Sequence, residues 1–110
     1  MKHALKGIYT FFSEGHNAKI QFAAAILVII AGIYFELNSS EWLWIALAIA
    51  LVFIAEMINT SIELLCDLLM PEYHVKAGKL KDIAAGAVLV TVIFALVVAG
   101  IVFGNRIVLQ

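Results

Sequence analysis

Glu56, Asn59, Glu63 and Asp67 follow one another at i, i+3, i+7 and i+11. On a helix turning ~100° per residue they fall within an arc of roughly 80°, so one stripe carries three carboxylates and a carboxamide. Carboxylates in such a row can hold a hard divalent cation such as Mg²⁺ through oxygen. Their setting is what makes them informative. The host segment, 42–69, is otherwise almost wholly apolar, with Trp42, Trp44, Ile45, Leu47, Ile49, Leu51, Val52, Phe53 and Ile54 leading up to Glu56. A charge at bilayer depth costs at least ~2.5 kcal/mol, so the stripe requires a partner.

Depth narrows the chemistry. Glu56 lies 14 residues beyond Trp42, an aromatic anchor at one interface, which is ~21 Å along a helix. The stripe therefore runs from the far half of the bilayer out to water, with Asp67 at its wet end. A ramp of that kind suits chemistry between a lipid headgroup and a soluble reagent. It suits an ion-conducting oligomer poorly, because only Gln21 and Thr91 on other segments continue the polar path. Helix–helix glue, at ~0.6 kcal/mol per hydrogen bond, accounts for one Asn better than for the whole set. A non-catalytic lipid-binding oligomer is the other competing class.

Next along the chain, 72–82 carries Lys76, Lys79 and Lys81 with His74. It reads as a basic loop beside the carboxylates. Lysines together with a carboxylate-held Mg²⁺ can grip phosphate oxygens, which is what Mg-ATP demands. Neither GxxxxGK[ST] nor GxGxxG is present, so neither common phosphate cradle is expected. His3 and His16 read as interfacial rather than as ligands, and no spacing suggests zinc.

These residues need positioning elements. Of the 110 residues 65% are hydrophobic and 14% charged, and the mean hydropathy is +1.07. That is a membrane composition and a length for one domain, 1–110. The net charge of −1 gives no bulk attraction to nucleic acid. The lone Cys66 excludes an internal disulfide and reads as a buried apolar filler. No signal peptide is expected, because no apolar core with a small-residue cleavage site follows Lys2 and Lys6. The patterning predicts an all-α membrane protein: an amphipathic surface helix over about 1–15, then spans over about 17–36, 41–69 and 83–104. Ser39 or Ser40 would cap the second span and Pro71 would end it. Lys2, Lys6 and Lys19, with Lys76, Lys79 and Lys81, place the N-terminus and the second loop in the cytoplasm, leaving Arg106 as the one dissenting charge. Gly86, Gly100, Ala84, Ala85 and Ala87 allow close helix approach, which favours an oligomer.

Ala55-Glu56-Met57-Ile58-Asn59-Thr60-Ser61-Ile62-Glu63, with Glu72-Tyr73-His74 and Lys81-Asp82 at these offsets, resembles the prokaryotic diacylglycerol kinase family, which includes the undecaprenol kinases. The resemblance covers nearly the whole chain. It implies a homotrimeric lipid kinase of the bacterial cytoplasmic (inner) membrane. Such an enzyme moves the γ-phosphoryl of Mg-ATP to a lipid hydroxyl, with diacylglycerol the first expectation and undecaprenol the alternative. It implies Glu56 as general base and Glu63 as metal and nucleotide ligand, with Asn59 as a polar partner. Glu72, Tyr73, His74, Lys81 and Asp82 become nucleotide contacts, and Asn17, Lys19 and Gln21 substrate contacts. There is one departure. A gapless match puts Gly15 where the family carries a metal-binding Glu, and Glu14 stands one residue earlier as the candidate for both metal and nucleotide.

Overall fold

The computed structural model describes residues 1–70 and 75–109, the side chain of Leu109 excepted. These residues form four helices: α1 (Lys2–Glu14), α2 (Ala18–Tyr34), α3 (Ser39–Leu69) and α4 (Val75–Leu109). The 35 residues of α4 measure ~52 Å at 1.5 Å per residue. They set the longest dimension of the molecule, 55 Å.

Helices α3 and α4 form an antiparallel hairpin held at both ends by ion pairs. Arg106 binds Glu41 through Nε, at 3.2 and 3.1 Å from the two carboxylate oxygens, and through Nη2. At the other end Lys81 Nζ donates to Asp67 Oδ1 at 2.8 Å. The core between them gathers Leu37, Ile45, Ala48, Val98 and Val102, with Trp42, Phe94 and Phe103 packed around. The dissenting charge of the sequence, Arg106, is thus absorbed by a partner 65 residues away.

The loop between α2 and α3 is tightly specified. Leu37 N–H donates to Gly32 O at 3.1 Å and Glu36 N–H to Ile33 O at 3.2 Å. That is the Schellman pattern, with Glu36 at φ 53° in the left-handed position usually given to glycine. Leu37 then drops into the core. The cap of α3 is Asn38, and the expected Ser39 or Ser40 is corrected. Asn38 Oδ1 accepts from Glu41 N–H at 2.9 Å while Glu41 Oε1 accepts from Asn38 N–H at 3.0 Å, a complete capping box that no serine here could form with Glu41. Glu41 therefore serves both the cap and Arg106. Gly32 permits α2 to meet α3, since a Cβ there would lie 2.5 Å from the Trp42 ring.

Two further boundaries differ from expectation. The second loop is shorter than 72–82, because α4 begins at Val75. Lys76, Gly78, Lys79, Lys81 and Asp82 all lie on its first turns. The lysines marked the segment as polar, yet Lys, Ala and Leu are good helix formers and Gly78 alone costs only ~1 kcal/mol. The other boundary is α2, which ends at Tyr34 and holds 17 residues. Among the described residues, α3 and α4 are each long and apolar enough to cross a membrane; α2, with 17 residues, is a little short by itself, and α1 and α2 taken together, bent by 100°, make a third candidate by length and composition.

That bend positions the site. Helix α1 stops where Gly15 N–H donates to Phe11 O at 2.8 Å, and Gly15 then turns extended (φ −70°, ψ 133°). A Cβ at Gly15 would stand 2.6 Å from Phe11 O, so the close approach excludes a side chain. The folded-back α1 is pinned by four clustered rings: Phe11 edge-on and Phe12 tilted against Phe53 of α3 at 6.4 and 5.9 Å, and Phe12 edge-on against Phe22 at 5.7 Å.

Candidate active site

The acidic stripe lies on α3, and its exposure grows along the helix. Glu56 is 3% exposed, the Glu63 side chain 32% and the Asp67 side chain 67%. Burial within the chain thus falls steadily along the stripe. Phe53, one turn before Glu56, carries the aromatic cluster, so apolar rings flank the buried carboxylate.

Helix α2 brings the neutral partners. Asn17, at its N-cap, and Gln21, one turn on, both extend their side chains to the Glu56 carboxyl. Even so, Glu56 Oε1 is buried with no hydrogen-bond partner, as is Asn59 Oδ1. Asn59 spends its donor elsewhere, giving Nδ2 to Glu63 Oε1 at 3.0 Å. Buried acceptors are rarely left without donors, and each such loss costs about 1–3 kcal/mol. The helix face thus presents two unmet oxygens and one carboxylate at successive turns. Oxygens without donors beside a carboxylate are a donor set that fits a hydroxyl group and a hard divalent cation.

A cavity of about 90 Å³ opens from this point between the helices, lined by Gln21, Ala24, Ala25, Val28, Ala48 and Val52 among others. Its alanines are too small to fill the space, which leaves an apolar wall next to Gln21.

The remaining sequence candidates divide. Lys81 sits at the wet end of the stripe, on Asp67. Lys19 and Asp82 are exposed on the first turns of α2 and α4, and Glu14 is exposed at the end of α1. Glu72, Tyr73 and His74 lie outside the described residues. Among the described residues no three His, Cys, Asp or Glu side chains converge, so Glu14 does not complete a three-ligand cluster with Glu63. One residue gains importance: His16 Nε2 stands 3.8 Å from Glu63 Oε2. Only the bend after Gly15 delivers it there. Cys66 is buried, as its apolar reading required. Thr91 returns its hydroxyl to Val88 O at 2.7 Å and so extends no polar path across the bundle.

Long apolar helices around a buried carboxylate that opens towards one end define a small helical membrane protein. Its sequence matches the model of the prokaryotic diacylglycerol kinases over residues 2–103. The chain belongs to that family, and it is a lipid kinase. It is 37% identical to the undecaprenol kinase of Bacillus subtilis over 101 residues, 92% of this chain and 82% of the relative. It is 35% identical to a diacylglycerol kinase of Synechocystis over 100 residues, 90% of this chain and 57% of that protein. With the Escherichia coli K12 diacylglycerol kinase it shares 28% over 74 residues, 67% of this chain and 61% of the relative. The chain therefore spans less than two thirds of these two diacylglycerol kinases. Membership implies a lipid substrate, a nucleotide donor and a divalent metal.

Proposed function

We propose that this chain transfers the γ-phosphoryl group of Mg-ATP to the hydroxyl of a membrane lipid held against Glu56. The observation that carries the reading is the buried Glu56 Oε1 without a donor, flanked by Asn17 and Gln21 and two turns from Glu63. A lipid hydroxyl is the donor that oxygen lacks. Its hydrocarbon can lie along the alanine-walled cavity below Gln21.

Phosphoryl transfer asks mainly for positioning and charge neutralisation. The Glu56 carboxylate takes the hydroxyl proton as the lipid oxygen bonds to the γ-phosphorus. The bond from that phosphorus to the β–γ bridging oxygen breaks, and ADP leaves with the electron pair. Asn17 and Gln21 orient the Glu56 carboxyl. Glu63, steadied by Asn59, would hold the cation, with Glu14 as a further candidate. When bound, Mg²⁺ neutralises phosphate oxygens. Lys81, placed by Asp67 at the wet end, faces the developing charge on the nucleotide. Lys19 completes the lipid contacts, and Glu72, Tyr73, His74 and Asp82 the nucleotide contacts.

The same reading sets α1 on the membrane surface and lets α2, α3 and α4 all cross, with the N-terminus and the Asp67 end in the cytoplasm of a bacterial inner membrane. Three subunits would share the exposed small-residue face of α4 around Gly86 and Gly100. Two acceptors compete. The relative matched over 92% of this chain and 82% of its own length is named for undecaprenol, which supports that alcohol ahead of diacylglycerol. The deciding experiment offers both alcohols, side by side in mixed micelles, to the purified protein with γ-labelled ATP. Label in a lipid phosphate is expected, with undecaprenol the better acceptor. No labelled lipid from either overturns the reading.

A further inference from the structure

We propose that His16, together with Glu63, supplies a ligand to the divalent cation of the nucleotide site, so that the metal centre uses imidazole nitrogen as well as oxygen. The inference rests on the phosphoryl-transfer reading above and adds a residue to it.

The backbone makes the case first. The linker between α1 and α2 is the part of the N-terminal region that approaches Glu63. Position 15 in that linker cannot carry a ligand, because a Cβ there would meet Phe11 O at 2.6 Å and the Phe11 ring at 3.2 Å. Glu14 ends α1, before the turn. The next side chain after the turn is His16, and the 100° bend carries it to Glu63.

The distance makes the case second. The 3.8 Å between His16 Nε2 and Glu63 Oε2 is too long for a hydrogen bond. It falls between the ~3 Å edge and the ~4.2 Å diameter of an octahedral shell with metal–ligand bonds of ~2.1 Å. An octahedral ion holds adjacent ligands at the first distance and opposite ligands at the second, so a shift of roughly half an ångström seats both atoms on one ion. The carboxylate is also presented correctly. Glu63 Oε1 is taken by Asn59, which leaves Oε2 as the oxygen turned to the imidazole. The Oδ1 of the same Asn59 is buried and without a donor. His16 is 85% exposed, so the ring is open to an ion arriving with a nucleotide.

No third acidic or imidazole ligand converges among the described residues. Phosphate oxygens and water would complete the shell, the usual arrangement for cations that arrive on nucleotides. An imidazole donor changes which ions suit the site. Oxygen sets favour Mg²⁺, whereas a nitrogen in the shell raises the relative affinity of Mn²⁺.

Pulsed electron paramagnetic resonance tests the assignment directly. The intact protein, labelled with ¹⁵N-histidine and held in micelles, is mixed with Mn²⁺ and the β,γ-methylene analogue of ATP. A Mn–¹⁵N coupling is expected in the parent protein. It should vanish in His16→Gln and persist in His3→Gln. The ratio of Mn²⁺ to Mg²⁺ affinity should also fall in His16→Gln. Mn²⁺ that binds in a Glu63-dependent way without any ¹⁵N coupling overturns the His16 ligand and leaves the nucleotide–metal site standing. Coupling that survives His16→Gln overturns it equally. No Mn²⁺ binding at all overturns both the ligand and the site, and the parent-protein arm needs no variant to fold.

Discussion

Asn59 Nδ2 donates to Glu63 Oε1 at 3.0 Å across one turn of α3. The bond holds one carboxylate oxygen in place and leaves the other, Oε2, facing His16 Nε2 at 3.8 Å. It also leaves Asn59 Oδ1 buried without a donor. Asn59→Ala should therefore raise the apparent KM for Mg-ATP by roughly tenfold, the equivalent of ~1.4 kcal/mol, with a smaller effect on lipid dependence. Steady-state kinetics with varied nucleotide measure this. An unchanged nucleotide dependence would detach the pair from the nucleotide site.

Glu56→Gln removes the proton acceptor while keeping its shape. Phosphoryl transfer should fall by at least ~100-fold. The unfolding midpoint in detergent should hold or rise, because a buried amide costs less than a buried carboxylate. Near-normal turnover in an ATP-coupled assay would take Glu56 out of the base role.

At the opposite end of the hairpin, Arg106 and Glu41 should matter for assembly of the fold and not for chemistry. Arg106→Ala and Glu41→Ala should each lower the thermal midpoint. The double variant should lose less than the sum of the two, since both remove one shared contact. Kinetic constants measured below the transition should match the parent. A fall in kcat with an unchanged midpoint would contradict this division.

Gly32→Val places a side chain against the Trp42 ring, where even a Cβ would come within 2.5 Å. Overpacking of this kind costs about 1–3 kcal/mol. The variant should unfold earlier, and its tryptophan emission should shift as Trp42 is pushed from its seat. A parent-like spectrum and midpoint would show that α2 does not dock there.

Glu36→Gly should act in the other direction. Glu36 holds φ at 53°, a conformation that costs a non-glycine residue roughly 1 kcal/mol. Glycine relieves that strain and loses part of the gain to its looser unfolded state. A small rise in the unfolding midpoint is expected, and a clear fall would mean that the carboxylate makes a stabilising contact there.

Much of the site was legible in the sequence because it lies on one helix. Helical periodicity alone puts Glu56, Asn59, Glu63 and Asp67 on a single stripe, and hydropathy alone shows that the stripe starts on an apolar segment and ends on a polar one. The gradient from buried Glu56 to exposed Asp67 follows from those two facts. Hydropathy served less well at the start of α4. It separates apolar from polar, and Val75–Asp82 is polar yet helical.

Relationships between elements were beyond its reach. Nothing local marks Arg106 as the partner of Glu41, because that pairing depends on two long helices docking antiparallel in one register. Nothing local marks His16 as a neighbour of Glu63, because its place depends on how sharply the chain turns after Gly15. Spacing along one helix is a property of the backbone, so sequence by itself determined the stripe and the membrane setting. Which side chains from α1, α2 and α4 meet that stripe was decided only by tertiary structure. Packing of Phe11, Phe12, Phe22 and Phe53 fixes the angle of the bend, and burial of the α3–α4 core fixes the register of the ion pairs.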